Sequence, residues 1–257
     1  MCSNSLMSGS AVLILLILAC APARVAAAEA SYPFVAKWRG EHGHAIGLCT
    51  AELVSKDWIV TAGHCASKIL KHEAVTVRVT FEHGGGVERG VTHCVRAPEK
   101  EDLALCKLKL PLNHVDPVKI ESRIYKNSQH GAAVYCIGTY NGMHVTGPKP
   151  LEYESSGAHL YVSNAGGSGM HAGDSGGAWV HHRRNLTTNQ TEAVLVGVIH
   201  GGEGSVGHKR GVAVQPAFLR AWINKITNSS VQWVSSADYR EVERQHELLL
   251  LYSKALQ

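Results

Sequence analysis

A chain of 257 residues, 45% hydrophobic and 18% charged, can bury one large core or two smaller ones. Its net charge of +4 comes without basic runs and gives no footprint for nucleic acid. With 26 glycines against 6% aromatic residues, a turn-rich β protein fits better than a helical bundle.

Residues 11–20 form an apolar run too short to span a bilayer, and Ala26-Ala27-Ala28 follows it. This predicts a secretory signal peptide over 1–28, although the first ten residues carry no Lys or Arg. Leu18-Ala19-Cys20 also fits a bacterial lipoprotein site. No later run approaches transmembrane length, so no stable membrane insertion is expected.

Beyond the leader, residues 33–38 alternate loosely. Leu48–Val54 and Asp57–Ala62 are short β-prone runs. Residues 74–81 alternate cleanly between apolar and polar, which predicts a half-buried strand. Val87–Val95 and Leu103–Leu110 predict two more. A polar connector over 111–131 separates these from a second set at 132–138, 159–163, 177–181, 193–200 and 211–214. Many short strands divided by turn signals point to barrels or sandwiches. Pro216–Ile226 predicts a short helix with Phe218, Leu219, Trp222, Ile223 and Ile226 on one face and Pro216 in its first turn. Residues 237–255 predict a further helical tail capped by Ser235 or Ser236. Asn185, Asn189 and Asn228 open N-glycosylation sequons.

Three stretches carry the chemistry. Gly173-Asp174-Ser175-Gly176-Gly177 sets a serine among glycines, where the backbone can take a tight exposed turn. Thr61-Ala62-Gly63-His64-Cys65 supplies a histidine. Asp102-Leu103-Ala104-Leu105 supplies an acid leading into an apolar strand. A serine hydroxyl is a weak nucleophile until a base takes its proton, and a histidine can do so at neutral pH.

In these motifs, ordered His, Asp, Ser, the chain resembles the chymotrypsin/trypsin-like serine peptidases from about Pro33 to Ile226. The resemblance implies an all-β fold of two packed antiparallel barrels. Residues 29–122 would carry His64 and Asp102, residues 123–227 Ser175 and the closing helix, and 228–257 the extension. It implies His64 as general base, Asp102 as its orienter, Ser175 as nucleophile, and the amides of Gly173 and Ser175 as the oxyanion hole. It also implies a Cys49–Cys65 bridge closing the histidine loop. Cys94 and Cys106 flank Asp102, and read either as a bridge between adjacent strands or as two buried thiols. With Cys136 the count is odd, so at least one thiol is free or pairs outside the chain.

The resemblance carries departures. Members of this family bury a cleavage-generated ammonium against the aspartate preceding the nucleophile, Asp174 in this chain. No Ile-Val-Gly-Gly-like stretch is present, and the corresponding position falls near Ala21, inside the leader. The expectation is that a side chain or backbone group neutralises Asp174 and that no activation cleavage is needed. In the specificity pocket, Gly169 stands where trypsin-type enzymes place an aspartate, which argues against Arg/Lys cleavage. Met170 follows. The family's pocket disulfide is replaced by His171 and Ser205. His200-Gly201-Gly202 aligns with the usual Ser-Trp-Gly wall, and Gly211 lines the same pocket. His200 reads either as a donor to an acidic substrate side chain or as a partner of Asp102.

The expected function is a secreted, monomeric serine endopeptidase acting on protein or peptide substrates, with a protein inhibitor as a further partner. The alternatives are an inactive homologue that binds or regulates, and an esterase-like enzyme. No cofactor is expected. No metal is expected either: the 16 histidines lack zinc-ligand spacing, and the loop after residue 80 lacks an acidic cluster for calcium.

Overall fold

The computed structural model describes residues 32–235, apart from 41–48, 71–76, 82–84, 99, 126–132, 140–141, 153–156, 164–170, 186–187, 189 and 204–209. The leader, the tail beyond 235, Gly169, Met170, Ser205 and Asn189 lie outside the described residues.

Six strands close the first barrel: β1 Val35–Gly40, β2 Thr50–Ser55, β3 Trp58–Ala62, β4 Val77–Phe81, β5 Val87–Arg96 and β6 Leu103–Leu108, in the order β1-β2-β3-β6-β5-β4 with β1 pairing back onto β4. A short helix, α1 (Gly63–Leu70), follows β3. Strands β2 and β3 are buried along their whole lengths. An antiparallel sheet open to water on one side would bury only alternate residues. Here the second barrel covers the other face, and one core cluster runs from Leu53, Ile59 and Leu105 across to Ile137, Val180 and Val198.

The second barrel is built from β8 Ala133–Gly138, β9 His144–Glu152, β10 His159–Ser163, β11 Ala178–Arg184, β12 Thr191–Glu203 and β13 Arg210–Val214. They run β11-β8-β9-β10-β13-β12, and β12 pairs with β11 to close the ring. Alternation along β11 divides its side chains between two cores. Ala178 and Val180 join the shared core, while Trp179 fills the second barrel with Leu160, Val162, Val196 and Ile199. Two short strands inside the connector and after the helix, β7 (Lys119–Glu121) and β14 (Trp233–Val234), pair in parallel with each other, and β7 with β12.

The closing helix begins as a 3₁₀ turn, Pro216–Leu219, and continues as α2, Arg220–Ile226. Leu219 and Ile223 are buried, but Phe218 is 40% exposed, which corrects its placement on the packed face. The tighter 3₁₀ winding rotates residues 216–219 out of the 3.6-residue register that the sequence reading assumed.

A buried ion pair joins β11 to β7. Arg183 and Glu121 are both buried and pair at 2.6 Å, with Tyr125 and His181 bonded around the guanidinium. Both disulfides lie in the first barrel. Cys49 joins Cys65, and Cys94 joins the residue directly opposite it in the β5–β6 register, Cys106. Cys136 is buried and unbridged. Among the described residues no helix is long and apolar enough to cross a membrane.

Candidate active site

β3 ends at Ala62, and the chain turns directly into α1, so His64 stands in the helix's first turn. The first amides of a helix lack intrahelical partners. Asp102, at the start of β6, serves one of them: Oδ1 accepts from the His64 amide at 2.6 Å. The other oxygen, Oδ2, meets His64 Nδ1 at 2.6 Å and His200 Nδ1 at 2.7 Å. One carboxylate thus fixes the backbone and the ring of His64 and grips a second imidazole from β12. The pairing of β3 with β6 brings these groups together, with Ala62 opposite Leu103.

Burial pushes the Asp102 carboxyl upward, but the hydrogen bonds from His200 and His64 outweigh it and hold the group well below the usual carboxylate range. His64 and His200 remain about 40% exposed while Asp102 is 13% exposed, so the imidazoles face solvent and the acid lies behind them. The ring of His159 on β10 stacks on His200, and its Nε2 lies 3.4 Å from Glu101.

Ser175 sits in the turn before β11, half-buried. Its carbonyl accepts from the Thr50 amide at 2.8 Å, and Cys65 Sγ lies 3.7 Å from the same oxygen. The disulfide neighbour of His64 therefore touches the backbone of Ser175 across the barrel boundary. Thr50 also donates its hydroxyl to Gly173 O at 3.0 Å. Gly176 has φ +84°, and a Cβ there would collide with Thr50 O and Thr61 Oγ1. Only glycine meets both demands without strain.

Backbone bonds hold the turn. The Asp174 amide donates to His171 O, Gly176 to Ile199 O and Gly177 to Asp174 O. Among the described residues, the amides of Gly173 and Ser175 donate to nothing. Two uncommitted amides separated by one engaged amide are what an oxyanion requires.

Asp174 is buried. His171 donates its amide to Oδ2 at 2.7 Å, and His144 Nε2 on β9 lies 3.2 Å from the same oxygen. Sequence reasoning anticipated a partner for Asp174 but did not name His144. The strand bearing it includes Pro148 and Pro150, which mask a β pattern. Those prolines are tolerated because β9 meets β10 only at Leu151 and Glu152, leaving the earlier part of the strand an edge.

Of the pocket residues, Gly202 is exposed and lies opposite buried Gly211 in the β12–β13 register. Asn185 donates its amide to Glu192 at 2.6 Å and its Oδ1 accepts from the Thr188 amide, whereas Asn228 is exposed at φ 51°. Among the described residues two groupings have metal-ligand side chains close together, Cys49-His64-Cys65 and His64-Asp102-His200. In the first the thiols are spent in a disulfide, and in the second the ligand atoms bond one another.

A family model described as trypsin matches residues 23–223, most of the chain. Among solved structures, neuropsin, a serine protease expressed in the limbic system of mouse brain, is similar at a TM-score of 0.56 and 19% identity, covering 77% of this chain and 95% of that one.

Proposed function

This chain belongs to the trypsin family, and we propose that it is a secreted serine endopeptidase in which Ser175, His64 and Asp102 hydrolyse peptide bonds through an acyl-enzyme. Asp102 takes the Nδ1 side of His64, which leaves Nε2 to receive the Ser175 proton as Oγ attacks the substrate carbonyl. The new oxyanion is held by the amides of Gly173 and Ser175. His64 then returns the proton to the departing amine, and water repeats the sequence on the acyl-enzyme. The observation that carries this reading is the Asp102 carboxylate, which binds both the amide and the ring of His64 at 2.6 Å.

Secretion is supported by the two disulfides, which persist in oxidising compartments. Of the sequons on described residues, exposed Asn228 suits a glycan, whereas Asn185 would have to surrender the bonds that shape its hairpin. We assign no preference for Arg or Lys before the scissile bond, because Gly169 offers no charge. The 2.7 Å contact of His200 with Asp102 supports a role through that acid rather than as receiver of an acidic substrate side chain.

The test is labelling of the purified protein with a fluorophosphonate. Labelling lost in Ser175→Ala supports the proposal. A folded protein that does not label would transfer the reading to a binding or regulatory homologue. Peptide and ester substrates, with Glu, Phe or Arg before the scissile bond, separate peptidase from esterase and define the pocket.

A further inference from the structure

Asp174 has no part in the proton transfers above, yet its side chain is 2% exposed beside the nucleophile. A carboxylate so placed needs donors and, if ionised, a counter-charge. The His171 amide is a local donor from the same turn. His144 is different, because it belongs to the barrel wall. In the β8–β9 register His144 stands directly opposite Gly138, and a Cβ at Gly138 would collide with the Asp174 carboxylate. The carboxylate therefore lies against this residue pair, over bare backbone on one strand and an imidazole on the other.

The consequence for the turn follows from connectivity. Asp174 is the engaged residue between the two uncommitted amides of Gly173 and Ser175. Anchoring its side chain to β9 fixes the directions of both neighbours. We propose that His144, through the contact of its Nε2 with Asp174, is the positioning residue that keeps the Gly173 and Ser175 amides aimed at the substrate carbonyl. The proposal rests on the serine-peptidase reading above.

The two histidines then have different tasks: in the proposed reaction His64 exchanges a proton with the substrate, whereas His144 holds Asp174 in place. Among the described residues, His171 and Cys136 also lie beside the His144–Asp174 pair. The ring of His171 lies edge-on to His144 with centroids 6.1 Å apart. The Cys136 thiol on β8 also feels Asp174. Burial, chiefly, pushes it up to about 12, so it stays neutral, and Lys149 on β9 acts on that thiol in the opposite sense.

The experiment measures kcat and KM across pH for the full chain and for His144→Ala, His144→Gln and His144→Lys. Loss of a well-aimed oxyanion donor lowers kcat steeply, so His144→Ala and His144→Gln are expected to lose about 10- to 100-fold in kcat with little change in KM. His144→Lys returns an N–H donor to Asp174, so it is expected to recover part of that kcat loss. In an Asp174→Asn background the His144 substitutions have no further effect. If His144→Ala and His144→Gln stay within about twofold of the parent in kcat, by the same scale, the proposal fails. It fails equally if His144→Lys is no more active than His144→Ala.

Hydrogen exchange over residues 171–177 gives a readout independent of turnover and of correct assignment of the nucleophile. Faster exchange in His144→Gln than in the parent supports the anchor, and identical exchange overturns it. A failure of the peptidase reading would show separately, as a parent protein that does not label at Ser175.

Discussion

Asp102 and Asp174 are two shielded carboxylates, each held by histidine, one on each barrel. Asp102 takes three bonds, from the amide and ring of His64 and the ring of His200. Two imidazoles crowd one oxygen, and the acid stays ionised well below the usual range even though burial opposes it. Asp174 is more deeply buried, and the partners that approach it include the His171 amide and the His144 imidazole. With three donors on it, the first carboxylate is suited to orient the ring that takes up and returns a proton in the proposed reaction. The second ties the turn that carries Ser175 to β9 through His144, which suits the conformational role proposed above.

The strongest way to break the comparison is to neutralise each acid without changing its shape. Asp102→Asn is expected to lower kcat/KM by about 10⁴-fold, because the amide presents the wrong partner to His64 Nδ1. Asp174→Asn should cost far less, since no proton passes through it. Steady-state kinetics on the two variants decides the order, and equal losses would erase the distinction drawn here.

Removing one of the three Asp102 donors sharpens it. His200→Ala deletes a charge-assisted bond to Asp102, and kcat/KM should fall about tenfold. The acid limb of stability moves as well. A carboxylate whose folded value is depressed contributes stability above its unfolded value, and that stability is lost as pH falls through the folded one. Without His200 the folded value of Asp102 rises, so acid unfolding begins at higher pH. Circular dichroism below about pH 4, the ordinary Asp range, checks this.

Glu52 on β2 provides the contrasting case of an acid with no such partners. It is fully buried, burial alone raises it well above its ordinary 4.5, and among the described residues neither oxygen has a hydrogen-bond partner. The folded chain keeps a proton that the unfolded chain releases above that value. Stability should therefore decline as pH rises, with a slope approaching about 1.4 kcal/mol per pH unit. Glu52→Gln abolishes that decline, so melting curves of the variant and the parent converge near pH 4.5 and separate toward pH 8, the variant being the more stable. Parallel curves would mean that Glu52 is ionised in the fold.

Much of this arrangement was legible in the chain. The runs at 87–95, 103–110, 159–163 and 211–214, short and divided by turn signals, each contain a strand. The shorter pieces were not. β7 and β14 have three and two residues and exist only because they pair with each other and with β12. α1 is an eight-residue helix whose first turn is bonded by an acid 38 positions away. β9 was hidden by its prolines. The bridge between Cys94 and Cys106 was one of two open readings until the β5–β6 register set them face to face.

The sequence by itself determined which chemistry was on offer. Ser175 among glycines, His64 beside Cys65 and Asp102 before an apolar strand are local patterns, and the requirements of a turn or a buried strand are local as well. What only the tertiary structure decided is which charge faces which. Asp102 and His200 are 98 residues apart and Asp174 and His144 are 30 apart, so neither contact leaves a periodic trace. The first arises because β12 of one barrel packs beside the start of β6 of the other, and the second because the β8–β9 pair lies against the Ser175 turn. There burial removes water, and a carboxylate's partner must then be a side chain or an amide already in place.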